Sequence, residues 1–390
     1  MISLDNNAST KVDPEVRAAV ERAMSLDGNP SSMHSAGRLA RRAVEEARDE
    51  VARLVGARTE EIFFTSGGTE ANAMAIFGTA EGAAAGGGSR KIVRTGAEHP
   101  SVREAFERLA AQGFEERVVN PKPSGALDPE AVAATLRGGA CLLSAMLANN
   151  EYGGLYPVVS LAGPARAAGT VFHTDAVQAA GRVPIDVGAL GIDLLTISAH
   201  KMHGPKGTGA LWVRRGVRLL PHTPGGGQER RQRAGTENVP GIVGFGVAAR
   251  LARERLAEDA ASVARLRDAL EGAILAAAPG ARAVGAAIAR LPNTSAILFP
   301  GIPGETLAIR LDLAGVEVSV GSACSSGTTA PSPALLSLGL SRAEARSVVR
   351  FSLSRFTTAA EIEAAARLVV GSVEAIREQA PAAAMSASPR

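Results

Sequence analysis

Residues 141–174 read CLLSAMLANNEYGGLYPVVSLAGPARAAGTVFHT, and this stretch decides the fold. The apolar run Cys141–Leu147 predicts a buried strand, Pro157–Ala168 has helical spacing, and Thr170–Thr174 is rich in β-branched and aromatic residues. A strand, a helix and a second strand at this spacing predict a βαβ unit, in which the two strands lie parallel.

The same alternation extends in both directions from this unit. Further strands are predicted at Ile62–Thr65, Ile92–Thr95, Asp193–Ser198 and Gly209–Val213, and further helices at Ser35–Gly56, Thr69–Ala85, Pro100–Gln112 and Pro129–Arg137. A long helical pattern from Ile242 to Ala278 is followed by predicted strands at Thr294–Phe299, Val316–Val320 and Val349–Ser354. The pattern is typical of an α/β protein with a large, mostly parallel sheet and a smaller α/β domain.

Composition excludes several classes of protein. The 390 residues are 46% hydrophobic and 21% charged, which excludes a mainly disordered chain. A net charge of +3 and 3% aromatic residues argue against a nucleic-acid partner. No signal-peptide pattern opens the chain, and its longest uncharged run, 318–341, is too rich in Ser, Gly and Pro to span a membrane. We therefore expect a cytoplasmic protein with no membrane partner.

Lysine usage singles out one residue. Lysine occurs five times, and arginine supplies the other basic residues. Lys201 follows the predicted strand Asp193–Ser198 directly, although a surface lysine is the alternative reading. Because arginine cannot form a Schiff base, a lysine at such a position favours lysine-specific chemistry.

Polar residues follow the other predicted strands, where open α/β sheets bind their ligands. In chain order they are, together with Gly68, the residues Thr69, His99, Asn150, Asp175, Gln178, Ser198 and His200, the last two next to Lys201. Taken singly, each has an ordinary structural reading as a helix cap, a turn former or a surface group. Pyridoxal phosphate accounts for all of them together. It needs a lysine, an acid at the ring nitrogen (Asp175), a donor to the ring oxygen (Gln178), a stacking side chain (His99) and a phosphate cup.

The two cysteines, too few for a disulfide scaffold or a closed zinc site, have different settings. Cys141 lies in an apolar run and should be buried and inert, whereas Cys324 lies in an uncharged Ser- and Gly-rich loop and should be accessible and reactive. Arg350, inside a predicted strand, should pair with an anion, either a protein carboxylate or a substrate carboxylate.

An ordered set of motifs then carries a resemblance that runs from Leu4 to Thr358. These motifs are TSGGTE (65–70), EHP (98–100), ANNE (148–151), HTDAVQ (173–178), HK (200–201), GGGQER (225–230), AGTEN (234–238) and GSAC (321–324). The chain resembles the cysteine desulfurases of the NifS and IscS type, within the class V aminotransferase family of fold-type I pyridoxal-phosphate enzymes.

The resemblance implies a role for each residue. Lys201 would be the Schiff-base lysine, and Gly68, Thr69, Ser198 and His200 would contact the phosphate. Asn150 and Arg350 would hold the substrate, L-cysteine. Cys324 would become a persulfide that serves the assembly of iron–sulfur clusters, with the nitrogenase cluster as one candidate. Thr236 would reach the phosphate of the other subunit, so a homodimer is implied.

Partners and boundaries follow from the same resemblance. A sulfur acceptor or iron–sulfur scaffold protein is the expected partner, and no intrinsic metal is expected, although Cys324 could transiently ligate a cluster. The predicted large domain spans 13–255, the small domain spans 1–12 and 256–380, and the tail 381–390 is expected to be disordered. Two departures from the family are Ala330 before Pro331 and an atypical ending at Ala380–Arg390. We expect them to bear on partner docking rather than on catalysis.

Three other functions remain open on the sequence. A selenocysteine lyase or aminotransferase of the same fold would keep Lys201 and Asp175 without depending on Cys324. A non-catalytic iron–sulfur assembly platform would bind no chromophore. A dinucleotide-dependent dehydrogenase is disfavoured, because no G-x-G-x-x-G follows the first strand.

Overall fold

A computed structural model describes residues 1–321 and 331–379 of the chain. Its helices are Pro14–Ala23 (α1), Ser35–Val55 (α2), Gly68–Ala85 (α3), Pro100–Ala111 (α4), Pro129–Leu136 (α5), Val158–Ala167 (α6), Val187–Leu190 (α7), Val239–Ala277 (α8), Gly304–Leu313 (α9), Pro333–Ser337 (α10), Arg342–Arg346 (α11) and Ala359–Gln379 (α12). Its strands are Ile2–Ser3 (β1), Ile62–Thr65 (β2), Lys91–Thr95 (β3), Glu115–Val119 (β4), Leu142–Ser144 (β5), Val171–Asp175 (β6), Leu194–Ser198 (β7), Gly209–Val213 (β8), Arg282–Ala283 (β9), Thr294–Leu298 (β10), Val316–Glu317 (β11), Ser319–Val320 (β12) and Val348–Ser352 (β13).

The large sheet has seven strands in the order β2-β8-β7-β6-β5-β3-β4. Every pairing from β7 through β4 is parallel, and β8 runs antiparallel to both of its neighbours, β7 and β2. Every residue of β5 and β7 is buried, as expected for parallel strands covered by helices on both faces. The prediction of an α/β fold with a mostly parallel sheet is confirmed.

A second, antiparallel sheet lies in the C-terminal third of the chain. Its order is β12-β13-β10-β9, and β10 pairs with β13 in a register that places Ala296 opposite Arg350. The chain's first strand joins this region, because β1 pairs in parallel with β11. Beyond β1 the backbone N–H of Asn6 donates to the carbonyl of Ser352 at 3.1 Å. The N-terminal segment is thereby fixed between the two sheets.

Helix α8 connects the two regions. Its 39 residues start after an Asn238 cap with a proline in the first turn, a favourable helix start. Phe245 and Leu251 belong to the core of the large sheet, whereas Leu270 and Ile274 belong to the core of the small one. The domain boundary that we placed at residue 255 falls inside this continuous helix, and the division into 13–255 and 1–12 plus 256–380 stays a prediction.

Two predicted strands differ from those observed. The run Cys141–Leu147 forms a strand only over Leu142–Ser144, because β3 ends at Thr95 and the N–H of Met146 donates to the Glu98 carboxylate instead of to a strand. The predicted strand Val316–Val320 is two strands, β11 and β12, which pair in different sheets.

Neither a membrane-spanning helix nor a cluster of metal ligands lies within residues 1–321 and 331–379. None of their helices combines the length and the apolar character needed to cross a membrane. No group of three or more His, Cys, Asp or Glu side chains in these ranges is placed to hold a metal ion.

Candidate active site

A cavity of about 180 Å³ lies at the carboxyl ends of the central strands, between the two sheets. It is lined by Asn7, Ala8, Gly68, Thr69, Asn72, His99, Ser101, Met146, Asn150, Asp175, Val177, Gln178, Ser198, His200, Lys201 and Arg350. The structure therefore brings together ten of the residues that the sequence singled out, although they are spread over 283 positions from Gly68 to Arg350.

Lys201 ends a short 3-10 helix, Ala199–Lys201, that follows β7 directly. Its Nζ donates to the backbone carbonyls of Asn7 at 2.6 Å and Ala8 at 2.8 Å. These carbonyls belong to the N-terminal segment, which also lines the cavity. Two neutral backbone carbonyls thus hold the amine at the cavity wall and orient it.

Asp175 is the last residue of β6, and its carboxylate is held from two sides. Oδ1 accepts from the backbone N–H of Val177 at 2.9 Å, and Oδ2 accepts from Nδ2 of Asn72 at 2.8 Å. A carboxylate offers about four acceptor positions, so this one can still accept a hydrogen bond from a ligand. Its position at a strand end fits a partner for a protonated ring nitrogen.

His99 caps helix α4, and this role fixes its ring. Nδ1 accepts from the backbone N–H of Ser101 at 3.1 Å, and the Ser101 hydroxyl lies 2.8 Å from the same nitrogen. Burial lowers the pKa of His99, which leaves the ring neutral near pH 7. With Nδ1 accepting, the ring proton resides on Nε2, and a flat neutral ring remains at the cavity wall.

Gln178 is buried, which excludes the solvent-facing alternative. Its Nε2 donates to the carbonyl of Asn7 at 3.0 Å, and its Oε1 accepts from Arg182. The amide nitrogen carries two hydrogens, and within the described part of the chain only Asn7 uses one. The second is available to a ligand in the cavity.

The part of the cavity next to the start of helix α3 is suited to an anion. Helix α3 starts at Gly68 with no side-chain cap, so the N–H groups of its first turn are available to a ligand, near Thr69, Ser198 and His200. A Cβ on Gly68 would lie 2.8 Å from Val177, so only glycine fits here. Burial lowers the pKa of His200 to about 4, so its ring is neutral at pH 7.

Arg350 lies in β13, and its side chain lines the cavity. Nη2 forms a salt bridge with Asp5 at 2.7 Å, and Nη1 donates to the carbonyl of Asn150 at 2.9 Å. Of the two anions we considered, the protein carboxylate is therefore present. The Nε of Arg350 is buried and finds no acceptor among residues 1–321 and 331–379, so its N–H remains a donor for a substrate.

The structure does not bring every predicted residue to the cavity. Thr236 is exposed and lies outside the lining, and Cys324 and the tail 381–390 lie outside the described residues. Cys141 is buried as expected, and burial raises the pKa of its thiol to about 11, so it stays a protonated, unreactive thiol.

Sequence reasoning missed three residues of the site. Asn72 holds Asp175, Asn7 contacts both Lys201 and Gln178, and Arg182 contacts Gln178. For Asn72 a signal was present, since it is a polar residue inside the buried helical run 71–80. For Arg182 the signal was a charge seven residues beyond Asp175 in an otherwise apolar stretch.

Pyridoxal phosphate fits these residues. The cavity combines an amine, a carboxylate held at a strand end, a flat neutral ring, a side-chain amide with a remaining hydrogen and an uncapped helix N-terminus. In the same order, these five groups suit the aldehyde, the ring nitrogen, the ring face, the ring oxygen and the phosphate of the cofactor.

Comparison with known proteins agrees with this arrangement. The class-V aminotransferase family matches residues 2–365. The chain is 45% identical to a cysteine desulfurase of Cereibacter sphaeroides over 383 residues, 97% of each chain. It is 42% identical to the cysteine desulfurase NifS of Azotobacter vinelandii, covering 97% of this chain and 94% of that protein. The X-ray structure of a NifS-like protein from Rickettsia africae matches with a TM-score of 0.87 at 33% identity, over 97% of this chain and 99% of that one.

Fold and site together define an α/β enzyme of the pyridoxal-phosphate-dependent class. The chain belongs to the class-V aminotransferase family, and the family resemblance seen in its motifs is confirmed.

Proposed function

We propose that this chain is a cysteine desulfurase that converts L-cysteine to L-alanine and passes the sulfur to Cys324 as a persulfide. The observation that carries the proposal is the meeting of Lys201, Asp175, His99 and Gln178 around one cavity that Arg350 also lines. Near-full-length relatives that are named cysteine desulfurase support it.

Pyridoxal phosphate, when bound, withdraws electrons from the substrate carbon next to the amine. Asp175 would keep the ring nitrogen protonated, Gln178 would donate to the ring oxygen and His99 would cover one ring face. Lys201 would hold the cofactor before turnover, and its Nζ would then take the proton from the substrate carbon. Asn150 and Arg350 would orient the substrate.

Sulfur transfer needs a nucleophile, and we assign it to Cys324. Its thiolate would attack the substrate sulfur, the carbon–sulfur bond would break, and the carbon would take up a proton to give alanine. The thiol itself is a poor nucleophile, so its pKa must fall from about 8.5 for the step to proceed near neutral pH.

Several finer statements belong to the same proposal. We infer a homodimer in which Thr236 of each subunit contacts the phosphate of the other, and its exposure outside the cavity is compatible with that role. A cytoplasmic location, a sulfur-acceptor or iron–sulfur scaffold partner, and a role in nitrogen fixation are inferences from the NifS-like relatives.

The test compares the two cysteines after turnover with L-cysteine. Wild-type protein should produce alanine and carry a persulfide on Cys324, mapped by alkylation and mass spectrometry. Cys324→Ser should bind pyridoxal phosphate normally and fail to transfer sulfur. The matched control is Cys141→Ser, which should stay active and lose only some stability, because it places a hydroxyl at a buried position next to β5.

Two results would contradict the proposal. Sulfur release that survives in Cys324→Ser would favour a lyase or an aminotransferase of the same fold. A purified protein with no visible absorption after incubation with pyridoxal phosphate would favour a non-catalytic assembly platform.

A further inference from the structure

Arg182 is a buried guanidinium whose contacts join three parts of the active site. Nη1 donates to both Oε1 and the backbone carbonyl of Gln178. Nη2 donates to the carbonyls of Asn6 at 3.2 Å and Lys201 at 3.3 Å. One side chain therefore contacts the Gln178 amide, the peptide of Lys201 and the N-terminal segment whose next two carbonyls hold the Lys201 amine.

The contact with Gln178 decides which way its amide points. A guanidinium has donors and no acceptor, so the amide atom that faces Arg182 must be the oxygen. The amide nitrogen is then turned to the carbonyl of Asn7 and to the cavity. Without Arg182, only the carbonyl of Asn7 among the described contacts of this amide would oppose a half-turn that presents the amide oxygen, an acceptor, where a donor is needed.

This contact has an electrostatic cost, which argues against a merely structural role. Arg182 is only 8% exposed, and within the described ranges it forms no salt bridge with a carboxylate. Burial, and to a smaller degree the positive charge of Arg350, lowers the pKa of Arg182 to about 9. A buried charge without a counter-ion is costly, and an apolar residue of similar size is often as stable or more so.

We propose that Arg182 is a positioning residue that fixes the Gln178 amide as a hydrogen-bond donor toward the ring oxygen of the cofactor. The cation next to the site also favours an anionic form of that oxygen. This inference rests on the proposed function, and within it Arg182 acts through Gln178 rather than by touching the cofactor.

The experiment is a double-mutant cycle read out as the affinity of the apoprotein for pyridoxal phosphate. Arg182→Met keeps the length and apolar stem and removes the donors, and Gln178→Ala removes the amide. One buried hydrogen bond corresponds to about a tenfold change in affinity. We therefore expect about tenfold weaker binding in each single variant and no further loss in the double variant.

Arg182→Lys is the conservative variant, with a positive charge and fewer donors. It should recover part of the lost affinity and shift the pH dependence of the bound cofactor's absorption less than Arg182→Met does. If Arg182→Met does not fold, as judged by thermal unfolding of the apoprotein, Arg182→Lys with and without Gln178→Ala provides the same cycle.

The outcomes separate this inference from the function itself. Losses that multiply to about a hundredfold in the double variant would mean that the two residues act independently, which would overturn the inference. Unchanged affinity in Gln178→Ala would overturn it as well, together with the role of Gln178. A persulfide on Cys324 of the wild type would leave the desulfurase function standing in either case.

Discussion

Replacing Asn72 by Ala should weaken both the fold and the cofactor site, because its amide is the side-chain partner of Asp175. The amide donates to Oδ2 of Asp175 at 2.8 Å and to Oγ of Ser101 at 2.9 Å, and Asn72 is buried. A hydrogen bond to a charged group contributes about 1.5–3 kcal/mol, so we expect the variant to lose about 2 kcal/mol of unfolding free energy. Among the described residues the Asp175 carboxylate then keeps the hydrogen bond from the N–H of Val177, and it can rotate away from the ring nitrogen.

The measurement has two parts, urea unfolding of the apoprotein and titration of the apoprotein with pyridoxal phosphate. Asn72→Ala should bind the cofactor roughly tenfold more weakly, because an Asp175 carboxylate that is no longer fixed should contribute about 1.4 kcal/mol less to the binding free energy. Thr79→Val is a matched control, since this buried hydroxyl of the same helix donates to the carbonyl of Ala75 in its own helix and does not line the cavity. It should cost at most about 1 kcal/mol of stability and leave cofactor affinity unchanged. Cofactor affinity within twofold of wild type in Asn72→Ala would refute the reasoning.

Further predictions concern the lysine and the pH dependence of stability. Lys201→Arg should fold and still lose more than about a hundredfold of alanine production, since a guanidinium keeps the charge and forms no Schiff base; near-native turnover would contradict the role of Lys201. His173 is buried between Ser144 and Thr196, and burial lowers its pKa from 6.5 to about 4. The folded protein thus binds a proton at His173 less well than the unfolded chain, so the contribution of His173 to stability is present above pH 6.5 and falls by up to roughly 3 kcal/mol as the pH drops toward 4. His173→Gln should reduce this loss between pH 7.5 and 5 in urea unfolding, and an unchanged slope would exclude His173 as its source.

The strand ends could be predicted from the sequence because each is marked by a change from apolar to polar residues. Asp175 is the last residue of β6, and Lys201 ends the short 3-10 helix that follows β7. Strand β4, Glu115–Val119, was not predicted, because this signal is absent there. It lies at the edge of the sheet, and its largely exposed residues show no apolar periodicity. A sheet edge faces solvent, so its sequence carries little signal.

The supporting contacts could not be predicted, because they depend on which segments meet in space. Asn7 reaches Lys201, Gln178 and Thr294 from the start of the chain, and no local pattern encodes these distances. The partner of Arg350 was left open between two anions, and only the register of β13 with its neighbours places Asp5 beside it. Local propensity identifies elements and their ends, and tertiary packing selects the partners.

The N-terminal segment has a consequence for how the protein is made. Asn6 bonds to Ser352, 346 positions later, and the carbonyls of Asn7 and Ala8 hold the Lys201 amine. During synthesis the first residues emerge from the ribosome long before their partners in β13 exist. The large sheet can form earlier, because all of its strands lie within residues 62–213. Folding on the ribosome should therefore yield a sheet with an incomplete cavity, and a cofactor-competent site closes only when the last strand is released.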